Sequence, residues 1–204
     1  METVWYNRRD CTSLCEECPG GNSPYPLGGL GDPDSDLMLV AQEPAYNVDH
    51  DTVELEMDWE RAKRVLEENR RESMNPLWRQ ILLVAEAAGL EPTDLYFTNL
   101  AKCNDGESTW RARYEQCRGY FLRELEIVSP RAILLYGRDV IDAVFALYGL
   151  EVPSQIGEVH ACPHDVPGRT VVPLYHWAYA MRSGQIESYN GEVTGVVRSI
   201  FSHR

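Results

Sequence analysis

Short runs of apolar residues recur along the chain, and each run is too short for a helix. They cover residues 37–41, 95–100, 132–136 and 170–175. Unbroken apolar runs of this length are typical of strands buried on both faces of a parallel sheet. The stretches between and after them predict helices at about residues 77–88, 109–128, 138–148 and 186–202. The pattern therefore predicts an α/β protein, a three-layer α/β/α sandwich around a central, mostly parallel four-stranded sheet.

Polar side chains follow several of the predicted strands. Gln42 and Glu43 come directly after the first strand, Asn99 lies at the end of the second, and His176 follows the last. Parallel strands bring their carboxyl ends to one edge, where ligands bind in open α/β sheets. An amide, an imidazole and a carboxylate there could read a planar heterocycle and stabilise charge on it. Taken singly, each of these residues more often ends a strand or serves a structural role than forms part of a site. The convergence of all of them at one edge favours a site.

Six cysteines suggest a second kind of site. Cys15 and Cys18 have a two-residue chelate spacing, and Cys103 and Cys117 form a distant second pair; the others are Cys11 and Cys162. Two such pairs can close one tetrahedral thiolate site, and zinc or an iron–sulfur cluster would both fit. A redox dithiol is less expected, because no strand precedes the first pair.

Charge and hydropathy limit the function classes. The chain of 204 residues carries a net charge of −13, and only Lys63 and Lys102 among its 19 basic residues are lysine. An acidic, lysine-poor surface predicts a protein that works in concentrated salt, where screening removes self-repulsion. Acidity argues against nucleic-acid binding by bulk charge, although counterion release contributes little in such salt. No long apolar run or export signal is present, so we expect a cytoplasmic protein with no membrane partner.

One domain over residues 1–204 is expected. Residues 1–10 predict a short helix or arm, and residues 11–34 an irregular cysteine lobe rich in Gly and Pro. Residues 47–73 form an acidic insertion with a solvated helix expected at about residues 59–71. We find no internal repeat and no linker long enough to divide the chain.

Several segments together resemble the iron–sulfur uracil-DNA glycosylases known as family 4. The resemblance lies in residues 15–19, 31–45, 96–103, 117–130, 157–160 and 172–182. Their order and spacing are more specific than any one of them. Gln42, Glu43 and Pro44 are more similar to the glutamine-aspartate-proline motif of the cluster-free uracil glycosylases. The chain is thus identified as a divergent member of this superfamily, expected from a halophilic archaeon.

The resemblance implies a DNA repair enzyme. It implies hydrolysis of the N-glycosidic bond of uracil, or a related deaminated base, in single- or double-stranded DNA. Separately, we expect a monomer. It assigns catalysis to Gln42, Glu43 and His176. It assigns contact with the base to Ala41, Ala45, Tyr46 and Asn99, and a structural 4Fe-4S cluster to Cys15, Cys18, Cys103 and Cys117.

The chain also departs from the family pattern. Trp177 stands where a proline usually follows the histidine, and the phenylalanine that stacks on uracil has no clear counterpart. The candidates to replace it are Tyr46, Met74 and Trp78. Four arginines are candidate phosphate contacts: Arg111, Arg113, Arg118 and Arg182. Two alternatives remain: an inactive cluster-bearing relative that binds nucleic acid or a partner protein, and a zinc-stabilised nucleoside or nucleotide hydrolase.

Overall fold

A computed structural model describes residues 29–44, 76–102, 104 and 109–202, and the strands and helices lie within these ranges. The strands are β1 Leu30–Gly31, β2 Leu37–Ala41, β3 Tyr96–Asn99, β4 Ala132–Tyr136, β5 His164–Val166 and β6 Arg169–Leu174. The helices are α1 Pro76–Ala88, α2 Trp110–Val128, α3 Arg138–Tyr148, α4 Trp177–Arg182 and α5 Ile186–Phe201.

The strands form one mixed sheet in the order β1-β3-β2-β4-β6-β5. The four inner strands are parallel, and the short β1 and β5 pair antiparallel with the outermost of them. The parallel sheet of four strands is therefore confirmed. The two edge strands were not predicted, because two or three residues carry too little hydrophobic pattern to be recognised.

Alternate side chains of the strands pack on opposite faces of the sheet, as the period of a strand requires. Leu37, Leu39 and Leu134 point towards α1, α4 and α5, whereas Met38 and Ile133 point towards α2 and α3. Every residue of β2 and β4 is buried. The result is the predicted three-layer α/β/α sandwich, in which apolar runs are buried on both faces.

The predicted bounds differ from the observed ones by a residue or two, with one helix missed. Helix α4 has only six residues, Trp177–Arg182, and so shows no helical period in the sequence. The predicted arm at residues 1–10 and the helix at residues 59–71 lie outside the described residues, as does most of the cysteine lobe. None of the described helices is both long and apolar enough to cross a membrane.

Candidate active site

The carboxyl ends of the four parallel strands lie side by side at one edge of the sheet. Ala41 pairs with Asn99, and Tyr136 pairs with Leu174. The chain beyond β3 continues this pairing, since the amides of Leu100 and Ala101 donate to the carbonyls of Ala41 and Gln42, both at 2.9 Å. Asn99, the segment that begins at Gln42, the segment after β4 and the segment after β6 therefore follow one another along this edge.

The carboxylate of Glu43 is held by a buried arginine. Glu43 is 21% exposed, and its Oε2 forms an ion pair with the guanidinium of Arg113, which is only 3% exposed. Arg113 lies in the first turn of α2. Thr109 caps the start of this helix, because its side chain accepts a hydrogen bond from the amide of Ala112. The expectation that Arg113 contacts phosphate at the surface is wrong, because its side chain is buried against the sheet edge.

A second buried ion pair lies behind Asn99. The ammonium of Lys102 contacts Oε2 of Glu124 at 2.6 Å, and both side chains are at most 1% exposed. Lys102 also donates to the carbonyl of Asn99 and to the hydroxyl of Thr98, both at 2.7 Å. Glu124 accepts from the amide of Gly29 at 3.2 Å. These contacts fix the end of β3, where the side chain of Asn99 is buried.

His176 lies at the start of α4 and is fixed by its own helix. Its Nδ1 accepts a hydrogen bond from the amide of Ala178 at 3.2 Å, so this nitrogen carries no proton and Nε2 does. Burial, and then the positive charge of Arg182, lower the pKa of His176 below its usual value. The imidazole is therefore neutral at neutral pH and presents one N–H donor.

A glycine after β4 lies beside His176. Gly137 has a backbone φ of 96°, which residues other than glycine rarely adopt. A Cβ on Gly137 would lie 3.5 Å from Cβ of His176, an ordinary van der Waals contact, so the backbone conformation and not the space favours glycine here. Gly137 and His176 border a cavity of about 410 Å³ that is also lined by Ile156, Tyr175 and Tyr179. The rings of Tyr175 and Tyr179 stack at 5.1 Å, and Tyr179 is 49% exposed.

A second histidine supports the backbone that leads into His176. The amide of Tyr175 donates to Nδ1 of His160 at 3.2 Å, and Nε2 of His160 faces Glu192 at 3.2 Å. The hydroxyl of Tyr189 donates to the carbonyl of Tyr175 at 2.9 Å, and its ring stacks on His160. Burial lowers the pKa of His160, and Glu192 opposes this only in part. His160 therefore favours the neutral form, in which Nδ1 accepts from Tyr175 and Nε2 lies 3.2 Å from the carboxylate of Glu192.

Of the four cysteines predicted to bind a metal, Cys117 is described. Its thiol is buried on α2, and its Sγ accepts from the amide of Lys102 at 3.3 Å. Cys15, Cys18 and Cys103 lie outside the described residues, and within the described part no group of three or more potential ligands occurs. Cys162, which is not one of these four, is exposed two residues before β5.

Comparison with known proteins identifies the family. The family model of the uracil DNA glycosylase superfamily matches residues 29–191. The chain belongs to the uracil DNA glycosylase superfamily. A type-4 uracil-DNA glycosylase of Archaeoglobus fulgidus is 31% identical over 114 residues, which cover 51% of this chain and 55% of that protein. The matched segment thus spans little more than half of this superfamily relative.

The remaining predicted site residues divide into two groups. Ala41 is buried at the end of β2, and Gln42 is half-buried beyond it. Ala45, Tyr46 and Met74 lie outside the described residues, and Trp78 belongs to α1.

Sequence reasoning missed Arg113 and Glu124 as parts of this superfamily member's sheet edge. Helical spacing is the signal that could have found them. Arg113 lies four residues before Cys117, and Glu124 three after Phe121, so both fall on the buried stripe of α2.

Proposed function

We propose that this chain hydrolyses the N-glycosidic bond of uracil, or of a related deaminated base, in DNA. Membership of the superfamily and the likeness to a protein named as a type-4 uracil-DNA glycosylase support the proposal. The observation that carries it is the hydrogen bond from the Ala178 amide to Nδ1 of His176, from which we infer that Nε2 is a neutral N–H donor. A neutral donor suits a leaving base that becomes an anion.

The reaction develops charge at two places. As the bond between the sugar and the base breaks, the sugar becomes cationic and the base becomes anionic. The donor at Nε2 of His176 stabilises the base anion through its O2 atom, as preorganised donors do in oxyanion holes. Glu43 holds the attacking water beside C1′ of the sugar, and the amide of Gln42 orients the same water.

The base enters this edge after leaving the DNA stack. Asn99 can donate and accept at once, which suits the pairing edge of uracil. Asn99 and His176 follow strands three places apart in the sheet, or roughly 14 Å between backbones at the usual strand spacing. A flipped base together with the two side chains can bridge that span. Ala41, Ala45 and Tyr46 complete the pocket wall in this proposal.

A metal cluster would stabilise the N-terminal cysteine lobe and would take no part in the reaction. Cys117 fits a thiolate ligand, because it is buried and already accepts an N–H bond from Lys102, the neighbour of Cys103 in the chain. Cys15, Cys18, Cys103 and Cys117 would hold a 4Fe-4S cluster, which ties the N-terminal lobe to α2. Zinc would be the alternative metal at the same sulfurs.

DNA binding would rely on local contacts, since the chain is acidic overall. Arg111, Arg118 and Arg182 are exposed and remain candidates for phosphate contacts, and Tyr179 offers an exposed aromatic ring beside His176. We further propose a monomer of one domain that works in concentrated salt, with uracil-containing single- or double-stranded DNA as its substrate.

A glycosylase panel tests the proposal. Oligonucleotides that contain uracil, hypoxanthine or xanthine are incubated with the full chain in molar salt, and alkali-labile sites are counted. We expect base release from at least one, and loss of that release in His176→Asn, which retains an acceptor for the Ala178 amide. Glu126→Gln, at an exposed position of α2, is the matched control.

The panel also separates the two rival functions. A chain that binds uracil-containing DNA but releases no base is the inactive relative, in which the ion pair of Glu43 with Arg113 is only structural. Release of a base from free nucleosides but not from DNA indicates the nucleoside hydrolase. Iron analysis and absorbance near about 400 nm decide between the cluster and zinc, with Cys117→Ser expected to lose the absorbance.

A further inference from the structure

The ion pair between Arg113 and Glu43 joins two elements at the sheet edge. Arg113 belongs to α2, and Glu43 belongs to the segment after β2. The guanidinium is 3% exposed, so it cannot retain its hydration shell and needs an anion beside it. A buried arginine that contacts a partly exposed carboxylate fixes the position of that carboxylate.

The main chain of the Glu43 segment is fixed on both sides. The carbonyl of Gln42 accepts from the amide of Ala101 at 2.9 Å, and the carbonyl of Pro44 accepts from the side chain of Asn104 at 3.1 Å. With the backbone held in this way, the remaining freedom of Glu43 is rotation about its side-chain bonds. The ion pair with Arg113 restricts this rotation, because the guanidinium holds Oε2 of the carboxylate.

We infer that Arg113 is a positioning residue for Glu43 in base removal, an inference that rests on the proposed function. Arg113 occupies Oε2 and leaves Oε1 as the oxygen that receives the attacking water. The guanidinium also offsets much of the field of the carboxylate beyond short range. Glu43 therefore acts by orienting water at contact distance more than by attracting the sugar cation from afar.

The chemistry requires no further co-reactant. Water adds through its oxygen to C1′ of the sugar while the bond from C1′ to the base breaks. The electron pair of that bond leaves with the base. The proton lost by the water ends on the departing base or in solvent, and Arg113 exchanges no proton.

A double-mutant cycle tests the inference in the full chain. Arg113→Met, Arg113→Lys, Glu43→Gln and the double variant of methionine and glutamine are compared with the wild type. Single-turnover base release and affinity for the uracil-containing oligonucleotide are both measured in molar salt. We expect Arg113→Met to slow base release at least about tenfold with affinity within about twofold, since a misplaced group loses transition-state contacts more than binding.

Two comparisons separate positioning from folding. Lysine keeps the charge and reaches the same carboxylate with one point contact, so we expect Arg113→Lys to recover part of the lost rate. The double variant removes both charges, so it leaves no unpaired ion to unfold the protein if Arg113→Met alone fails to fold. We expect it to be no slower than Glu43→Gln, because Arg113 acts only through Glu43.

Several results would overturn the inference. Wild-type release rates in Arg113→Met would show that Glu43 needs no partner. A loss confined to DNA affinity would make Arg113 a binding residue, and multiplied losses in the double variant would make the two residues independent. If the wild type releases no base at all, the proposed function fails and this inference fails with it; an active wild type with an equally active Arg113→Met refutes the inference alone.

Discussion

The two halves of the sheet edge are held by different forces. On the side of β2 and β3, two buried ion pairs join the strand ends to α2: Arg113 with Glu43, and Lys102 with Glu124. On the side of β4 and β6, neutral imidazoles accept backbone hydrogen bonds and pack against aromatic rings. Ion pairs hold the first half, whereas hydrogen bonds to neutral imidazoles and ring stacking hold the second.

This difference predicts different sensitivities. Buried ion pairs are screened little by salt, which suits a chain expected to work in concentrated salt. Neutral histidines whose Nδ1 atoms accept hydrogen bonds lose those bonds when they are protonated. Acid should therefore damage the His160 and His176 half first, while removal of a charge should damage the Lys102 and Arg113 half.

The largest expected effect is on stability, from Lys102→Met. The substitution leaves Glu124 buried without its cation, which typically costs about 3–5 kcal/mol in free energy of unfolding. Urea unfolding measures it, with Arg79→Met at an exposed position of α1 as the control. The double variant Lys102→Met with Glu124→Gln should recover much of the loss; a single variant as stable as the wild type would show that the pair is not what holds β3.

Second in size is the effect of His176→Asn on catalysis. Asparagine can still accept from the Ala178 amide, so α4 should form, but the Nε2 donor is lost. Losing one donor to a developing anion typically costs about 10²–10³-fold in rate. Single-turnover base release measures it, and circular dichroism checks the fold. An unchanged rate would remove His176 from the mechanism.

A smaller effect is expected from acid, on stability. The pKa of His160 is lowered in the folded chain, so the unfolded chain binds more protons as the pH falls. Its contribution to stability is complete above the unfolded pKa of about 6.5 and is lost as the pH falls towards the folded pKa. His160→Gln cannot titrate, so the urea midpoint of this variant should fall less between neutral and mildly acidic pH. An equal fall of the urea midpoint with pH in the wild type and the variant would contradict the assignment of His160 as neutral.

The smallest effect is expected from Glu192→Gln. Glu192 is 49% exposed and raises the pKa of His160, which burial lowers. Glutamine keeps an acceptor for Nε2 but removes the charge, so His160 should protonate only at still lower pH. We expect a change in stability of about 0.2–1 kcal/mol at most, as for exposed charges. Histidine proton NMR against pH measures the shift, and movement towards higher pKa would contradict it.

Local patterns predicted most of the fold. Apolar runs located β2 and β4 at their observed bounds, and Gly137 and Gly149 bracket α3 where the sequence predicts a helix. The helix Trp177–Arg182 and the edge strands were missed because each is too short for a hydrophobic period to repeat often enough to be recognised.

The sequence by itself determined the alternation of strands and helices and the edge at which Gln42, Glu43, Asn99 and His176 must lie, because parallel strands end together. Tertiary structure alone decided that Arg113 is buried on Glu43 and not exposed, and that Lys102 meets Glu124. Charged residues are usually solvated, so only the packing of α2 on the sheet could convert two of them into buried partners.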